Sequence, residues 1–328
     1  MPKFEILDSN ISIDEYENHT FHPMQSYYWG QARLKTGVEV VRFAKLTNKN
    51  INSVYQMTIH KLPYLNWKLG YLPRHTDLDK ELLTFLEGFA KKNNLFLIKL
   101  EPYIFTTDNY QLPKQNNLIK SSIPLFPDWT QMLDLKPTES QLLAKFKSKT
   151  RYNIRLAQRK GVVVKEMSDD KGFEIFSRLY FQTCQRQNYK GHNRNYHKAI
   201  WNNLKNKIAH ILIAFYMNEP LSAYELFLYK NRLYYPYGGS SYKHRNLMAS
   251  NLLMWETIRF GKRNKAEIFD LWGSLPPDYD LNDPWAGFTR FKQGYGTEFV
   301  QTIGSWDLVI NNLKYQIFKQ LWRFRKSV

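Results

Sequence analysis

The feature that most constrains the fold is a succession of elements that occurs twice along the chain. In each half, strands rich in β-branched and aromatic residues precede a helical pattern and a further strand. This order is typical of a mixed α/β domain. A chain of 328 residues is longer than a domain with a single hydrophobic core usually is. Two such domains are therefore expected. The predicted elements are strands at 38–46, 51–62 and 95–103 with a helix at 78–91 in the first half, and strands at 210–217, 223–229, 233–237 and 267–273 with a helix at 248–262 in the second.

A strongly cationic segment, KFKSKTRYNIRLAQRKG, opens the second half. A helix is predicted at 139–160, and no carboxylate occurs between Glu139 and Glu166. Solvated helix faces usually interleave charges of both signs, so an uncompensated face indicates a site for a polyanion, with an ordinary solvated face as the alternative. At 100° per residue, four cations share an arc of about 120°, namely Lys147, Arg151, Arg155 and Arg159.

The charge of the whole chain agrees with a polyanionic partner. There are 47 lysines and arginines against 29 acidic residues, which leaves a net charge of +18. Such a potential attracts nucleic acid, nucleotide phosphates or an anionic membrane surface. Nucleotide bias in the genome is the alternative source of the lysines.

Common catalytic signatures are missing from the sequence. No GxxxxGK[ST], GxGxxG or GxSxG motif occurs, and the eight histidines show no HExxH or other metal spacing, so no metal site is expected. The single cysteine, Cys184, cannot form an internal disulfide. The N-terminus lacks an apolar signal region and no run of about 18 apolar residues occurs, so we expect a cytoplasmic protein.

The final segment, 306–324, is helical by its hydrophobic period. Its basic and aromatic tail, LWRFRKSV, either packs on a domain or lies on an anionic surface, and packing is the preferred interpretation. The expected inward positions are Leu308, Leu313, Ile317, Leu321 and Phe324.

A family resemblance extends along nearly the whole chain. The motifs that carry it are, in order, MQSYYWGQARLKTG, LIKLEPY, KTRYNIRLAQRKGVVV, YGGSS, FDLWG and GFTRFKQGYGTEFVQTIGSWDLV. Together they resemble the FemXAB family of non-ribosomal peptidyltransferases, which build the cross-bridge of bacterial peptidoglycan with aminoacyl-tRNA. The resemblance implies two tandem acetyltransferase-like (GNAT) domains, at 1–135 with 304–328 and at 136–303, and a C-terminal helix that packs on the first. It also implies the short form of the family, without a helical-hairpin insertion.

The implied reaction transfers an amino acid from aminoacyl-tRNA to an amine of the stem peptide of a peptidoglycan precursor. The chain lacks the [RQ]xxGx[GA] loop of acetyl-CoA users, so acyl-CoA is not the expected donor. An ester is already activated, so catalysis requires positioning and stabilisation of an oxyanion, with no metal or other cofactor. The family's Phe-Lys pair matches Phe291 and Lys292, which implies that Lys292 is catalytic and that Phe291 contacts the acceptor end of the tRNA. An ordinary exposed lysine is the alternative for Lys292.

Other matches concern the precursor, either UDP-linked or lipid-linked, which the first domain is implied to bind. Lys35 matches the family's first-domain lysine. Where a second phosphate-binding arginine is expected, the sequence has His192, followed by Arg194. The loop that usually has the sequence RGP is RHTD at 74–77, which departs from the pattern. The matching tyrosines are Tyr103, Tyr196 and Tyr237, and each could instead be a core residue.

The resemblance also gives the cationic face a partner. Its four side chains are expected to contact phosphates of the tRNA acceptor arm, or alternatively to form a pocket wall at the domain junction. A monomer in peripheral contact with the inner face of a membrane is the expected state. Two other functions stay open: a GNAT-like N-acyltransferase with another donor, and a non-enzymatic RNA-binding protein for which Lys292 would be dispensable.

Overall fold

A computed structural model describes residues 3–7, 11–189 and 191–326, the last four by their backbone alone. In the first part of the chain the elements are β1 (Lys3–Ile6), α1 (Ile13–Asn18), α2 (Tyr27–Lys35), β2 (Glu39–Thr47), β3 (Asn50–Lys61), β4 (Lys68–Pro73), α3 (Lys80–Lys92), β5 (Leu95–Glu101) and β6 (Leu118–Lys120). They continue with β7 (Trp129–Asp134), α4 (Glu139–Lys145), α5 (Ser148–Arg159), β8 (Val163–Glu166), α6 (Asp170–Arg186), α7 (Arg194–Leu204), β9 (Ala209–Tyr216), β10 (Glu219–Tyr229) and β11 (Arg232–Ser240). The last are α8 (Ala249–Arg263), β12 (Ile268–Asp270), α9 (Ala286–Gln293), β13 (Glu298–Gln301), β14 (Trp306–Val309) and α10 (Asn312–Lys326).

The chain divides into two compact units. The first comprises Met1–Asp128 with Gln301–Val328, and the second comprises Trp129–Val300. The boundaries expected from the sequence, 135/136 and 303/304, lie seven and three residues later. The strand β7, which lies before the expected boundary, pairs with β12 in the sheet of the second unit. This pairing explains why the second unit begins earlier than expected.

Each unit contains a seven-stranded mixed sheet. The strand orders are β1-β2-β3-β4-β5-β14-β6 and β13-β7-β12-β11-β10-β9-β8. In the first sheet, β2, β3 and β4 are antiparallel neighbours, and α3 then crosses to β5, which is parallel to β4. In the second, β9, β10 and β11 are antiparallel, and α8 crosses to β12, which is parallel to β11. A parallel pair requires such a crossover. The succession predicted twice from the sequence is therefore confirmed, except that the first half has a further strand, β4, for which no strand is predicted.

The crossover helices close the two cores. Asp79 caps α3, since its side chain accepts a hydrogen bond from the backbone N–H of Leu82 at 2.8 Å. The strand that follows, β5, is buried at every position, as expected for a strand covered on both faces. In the second unit, nine residues of α8 are buried, and Trp255 and Ile258 among them belong to the core cluster. Both helices have the apolar stripe that the sequence pattern predicts.

The cationic helix predicted at 139–160 is two helices. Between α4 and α5, Phe146 and Lys147 are extended, with ψ angles of 147° and 144°. The Phe146 ring turns into the core, where it packs edge-on against Trp255 at 5.5 Å and Tyr295 at 5.2 Å. The backbone N–H of Lys147 donates to the carbonyl of Gly294 at 3.0 Å. The prediction of one continuous helix is wrong because these contacts stabilise the break.

The C-terminal segment also differs from the predicted helix at 306–324. Its first residues form the strand β14, which lies between β5 and β6, and α10 begins only at Asn312. Tyr315 and Phe318 pack α10 against a cluster of the first unit that includes Phe96 and Ile123. The prediction that the C-terminal helix packs on the first domain is therefore confirmed.

The predicted inward positions of this helix are mostly wrong. Leu308 is buried, but as part of β14. Leu313, Ile317 and Leu321 are 73%, 37% and 50% exposed, because Tyr315 and Phe318 occupy the buried face. The side chain of Phe324 lies outside the described residues. Across residues 3–7, 11–189 and 191–326, no helix is long and apolar enough to cross a membrane.

A buried polar network fixes β14 in the first sheet. Lys99 on β5 and Asp307 on β14 form an ion pair of 2.7 Å, and their side chains are 3% and 1% exposed. The Ser121 hydroxyl accepts from Lys99 at 2.6 Å and donates to Asp307 at 2.7 Å, while the Tyr315 hydroxyl donates to Asp307 at 2.9 Å. Removing one partner of a buried ion pair costs about 3–5 kcal/mol. The network thus ties β5, β14 and α10 together.

Candidate active site

Lys292 lies on α9 in the second unit, and its side chain is 0% exposed. Its Nζ donates hydrogen bonds to the carbonyl oxygens of Leu271, at 2.6 Å, and of Gly273. Between these two acceptors, Trp272 has a φ of 70°, in the left-handed region, and Gly273 has a φ of 151°. Lys292 therefore holds a loop with uncommon backbone angles in place. The alternative that Lys292 is an ordinary exposed lysine is wrong.

Burial also changes the chemistry of this amine. It lowers the pKa of Lys292 well below the ordinary 10.5, and the charge of Asp270 at the end of β12 opposes that shift in part. The ring of Phe288, one turn earlier on α9, has its centroid 3.6 Å from Nζ. An ammonium has three N–H donors, of which two point to the carbonyls. Phe288 is itself 41% exposed, so the ring that covers Nζ is open to solvent.

Phe291 packs on the core of the second unit. Its side chain is half-buried, and its ring centroid lies 5.3 Å from that of Tyr295. The Tyr295 hydroxyl accepts a hydrogen bond from Asn251 at 3.1 Å. These contacts give Phe291 a packing role, and its contact with the tRNA acceptor end stays a prediction.

Arg151 differs from the other cations of the predicted face. It folds back over the end of α4, where its Nη1 donates to the carbonyl oxygens of Phe146 and, at 3.4 Å, of Ala144. The last carbonyls of a helix have no partner within it, and a cation there interacts favourably with the helix dipole. Arg151 therefore stabilises the end of α4 and is less free to contact phosphates.

The rest of this face is open. Lys147, Arg155 and Arg159 are exposed, and the described residues provide no carboxylate that forms an ion pair with them. Glu139, the acid at the start of α4, pairs instead with Arg259 on α8. The uncompensated charge that the sequence indicated is therefore present on the surface. Its binding to tRNA stays a prediction.

Three of the predicted precursor-binding residues lie together in the second unit. The His192 and Tyr196 rings are stacked with centroids 3.8 Å apart. Tyr237, on β11, is half-buried, and burial together with nearby Tyr196 raises its pKa well above 10. Arg194 is directed elsewhere, since it forms an ion pair with Glu174 on α6. The structure thus joins His192, Tyr196 and Tyr237 and separates Arg194 from them.

A buried histidine and a buried carboxylate adjoin this cluster. His197 on α7 has its ring centroid 4.7 Å from that of Tyr237 and 4.6 Å from that of Tyr180. Its Nδ1 lies 3.9 Å from Oε2 of Glu225, and both side chains are 0% exposed. None of the four polar atoms of this pair has a hydrogen-bond partner among the described residues. Burial raises the pKa of Glu225, and His197 opposes that shift.

Neither His197 nor Glu225 belongs to a sequence motif that indicates a site. Glu225 faces the same side of the sheet as Tyr237, which is its partner in the β10–β11 register. The available signal was a carboxylate within the otherwise apolar strand SAYELFLY. Buried carboxylates of this kind are uncommon unless they are paired, so they mark candidate sites.

The other two predicted precursor-binding residues belong to the first unit. Lys35, the last residue of α2, is exposed. Tyr103 is 8% exposed, with its ring 5.0 Å from His22 and the guanidinium carbon of Arg74 5.8 Å from its centroid. Arg74 has a φ of 51° and stacks 4.1 Å above Phe126. The arginine of the divergent RHTD loop therefore lies beside Tyr103. Among the residues that the structure describes, no three His, Cys, Asp or Glu gather as metal ligands.

Known proteins resemble this chain along most of its length. A family model described as the FemAB family matches residues 118–219 and 215–323. The chain belongs to the FemAB family. Lipid II:glycine glycyltransferases of Staphylococcus epidermidis and Staphylococcus aureus are 22% and 23% identical to it, over 91% and 98% of this chain and 90% and 96% of theirs.

Solved structures confirm the fold of this FemAB-family chain. A crystal structure of FemX superimposes with a TM-score of 0.84 at 19% identity, over 95% of this chain and 99% of that one. A tandem GNAT protein from the clavulanic acid biosynthesis pathway gives a TM-score of 0.54 at 11% identity, over 94% of this chain and 99% of that one. The two units are thus tandem GNAT-like domains. The longest helix that the structure describes in the second unit is α6, with 17 residues.

Proposed function

We propose that this transferase moves an amino acid from aminoacyl-tRNA to an amine of a lipid-linked peptidoglycan precursor. The observation that carries the proposal is the alignment of nearly the whole chain with two lipid II:glycine glycyltransferases. The acceptor class is supported by the lipid II on which these relatives act. The tRNA donor is supported by the resemblance of the motifs and by the uncompensated cations of α5.

In the proposed reaction, the acceptor amine attacks the carbonyl carbon of the ester that joins the amino acid to the tRNA. A C–N bond forms, the tetrahedral intermediate collapses with loss of the ribose oxygen, and the proton lost by the amine ends on that oxygen. Because the ester is already activated, the protein must supply positioning and stabilisation of the oxyanion. No covalent enzyme intermediate is needed.

Lys292 fits the oxyanion role through its third N–H donor. Two donors are engaged by the Leu271 and Gly273 carbonyls, and rotation of the partly exposed Phe288 ring would uncover the third. Burial disfavours the charged amine in the resting protein. A negative oxygen that develops beside Nζ favours the charged form again, so Lys292 holds the proton released by the acceptor amine, donates its third N–H to the oxyanion, and passes the proton to the ribose oxygen as that oxygen leaves. The interaction therefore strengthens in the transition state.

The remaining residues bind the two substrates. The exposed cations Lys147, Arg155 and Arg159 hold phosphates of the acceptor arm without reading sequence. In the second unit, the stacked rings of His192 and Tyr196 with Tyr237 contact the precursor. In the first unit, Lys35 and Tyr103 do so, and Arg74 beside Tyr103 adds a cation.

One experiment tests the proposal directly. The purified protein is incubated with a mixed pool of charged tRNA and with UDP-linked and lipid-linked precursors, and the muropeptide is analysed by mass spectrometry. We expect the mass of one amino acid to be added to the lipid-linked form, and RNase treatment to abolish the addition. Transfer that survives RNase, or that requires acyl-CoA, identifies an N-acyltransferase instead. Binding of tRNA without any mass increase identifies an RNA-binding protein.

A further inference from the structure

One face of α10 presents an apolar stripe to solvent although the opposite face is packed. Leu313, Ile317 and Leu321 recur every fourth residue, and all three are exposed. Tyr315 and Phe318 fill the buried face. The outer face of a surface helix normally carries charged and polar side chains. A continuous apolar stripe there marks an interaction surface.

Positive charge borders this stripe. The 15 residues of α10 include five lysines and arginines and no carboxylate. Lys314 lies with Nζ 5.6 Å from the ring centroid of Trp67, and Lys319 lies 4.8 Å from that of Tyr315. In the part of the chain that the structure describes, neither lysine pairs with a carboxylate. Apolar residues on one face with cations beside them are typical of a helix that lies in the interface of an anionic bilayer.

The turn between β3 and β4 extends the same surface. Its tip carries Tyr64, which is fully exposed, and Trp67 at its base packs in one cluster with Phe318. The turn therefore lies beside α10. Lys61 and Lys68 flank it, and its sequence KLPYLNWK contains no acid. Tyrosine is favoured at the boundary between apolar chains and water because its ring is apolar and its hydroxyl is polar.

We propose that the outer stripe of α10 and the Tyr64 turn dock the first unit on an anionic lipid bilayer. Leu313, Ile317 and Leu321 enter the boundary of the acyl chains, and the neighbouring lysines contact lipid phosphates. The inference rests on the proposed function, since a lipid-linked acceptor is presented at a bilayer surface. A second copy of the chain is a poorer occupant, because a two-fold contact through this face of α10 would bring Lys314 and Lys319 near the same lysines of the other copy.

The test is sedimentation with vesicles of equal parts phosphatidylglycerol and phosphatidylcholine, compared with phosphatidylcholine alone. We expect the wild type to bind the anionic vesicles, more weakly as salt rises. Leu313→Gln with Leu321→Gln should lower the partition coefficient at least about tenfold, because two leucines no longer leave water. Leu281→Gln is the matched control, since Leu281 is 72% exposed and Leu313 is 73% exposed. It should bind like the wild type.

Each other outcome contradicts the inference. Failure of the wild type to bind anionic vesicles overturns it, as does equal binding by the double variant. A wild-type dimer that the double variant dissociates, without vesicle binding, assigns the stripe to a second copy. Transfer from charged tRNA to a lipid-linked precursor dispersed in detergent, without vesicles, is measured in parallel. Transfer without vesicle binding overturns the docking surface alone, and vesicle binding without transfer overturns the proposed function alone.

Discussion

Replacing Lys292 by methionine separates catalysis from support of the loop that this lysine holds. Methionine keeps the length of the side chain and its contact with Phe288 but removes the donors to the Leu271 and Gly273 carbonyls. Leaving the two buried carbonyls without a donor lowers the free energy of unfolding by ~1–3 kcal/mol. Part of this loss is offset because the variant no longer buries an amine. Loss of one oxyanion donor lowers kcat by ~10²–10³. We therefore expect a large fall in turnover with a modest loss of stability.

The assay combines single-turnover rates with equilibrium titration of tRNA and precursor. A transition-state role lowers the rate while both Kd values change little. The matched control is Thr289→Val, because the buried Thr289 hydroxyl accepts from the backbone N–H of Leu275 at 3.2 Å and supports the same loop. If both variants lose the same stability and the same activity, Lys292 acts through the loop alone. A wild-type rate in Lys292→Met would refute the catalytic role altogether.

The same variant reports the protonation state of Lys292. Since the folded-state pKa lies below 10.5, the unfolded chain binds a proton that the folded chain lacks between these two values. The free energy of unfolding of the wild type should therefore rise with pH relative to Lys292→Met, up to about 10.5. Denaturant titrations of both proteins from neutral pH upward measure this difference. A difference that stays flat would show that the amine is charged in the folded protein.

The remaining predictions concern the cationic face and the buried acid. The double variant Arg155→Gln with Arg159→Gln should reduce the slope of log Kd for tRNA against log salt concentration by ~0.7–0.9 for each phosphate that it no longer neutralises. Arg151→Gln should instead mainly destabilise the protein, by ~1 kcal/mol, because Arg151 caps α4. An unchanged salt slope in the folded double variant would assign this face to ordinary solvation. Glu225→Gln should remove a titration: the raised pKa of Glu225 means that the folded protein keeps a proton which the unfolded chain releases. The stability of the wild type relative to this variant should therefore fall as pH rises above about 4.5, and a pH-independent difference would contradict the assignment.

The hydrophobic pattern of the sequence was sufficient to predict those helices and strands whose buried residues recur at the period of the element itself. The helices α3 and α8 and the hairpin strands carry stripes or alternation that fix the buried face without knowledge of the neighbours. Phe146 is different, because its position fits the apolar period of a continuous helix. It leaves that helix only because Trp255 and Tyr295, far along the chain, form its pocket.

The buried face of the C-terminal helix was predicted wrongly for the same reason. Leu313, Ile317 and Leu321 have the spacing of a buried stripe, and nothing local shows that Tyr315 and Phe318 hold the buried face. At the candidate site, the family motif pointed to Lys292, but its full burial depends on the fold. The His197–Glu225 pair joins α7 to β10, two elements whose proximity no sequence period encodes.

The position of β14 has a consequence for how the chain is made. Along the sequence, the whole second unit lies between β14 and the two strands that β14 joins, β5 and β6. On the ribosome, the second unit is complete once Val300 has emerged, while β5 and β6 still have unpaired edges and Lys99 has no counter-ion. The N-terminal unit is therefore the last to close, and its sheet stays incomplete for the full time that the second unit takes to be synthesised. A premature stop before Trp306 would leave a folded second unit attached to an unfinished first one.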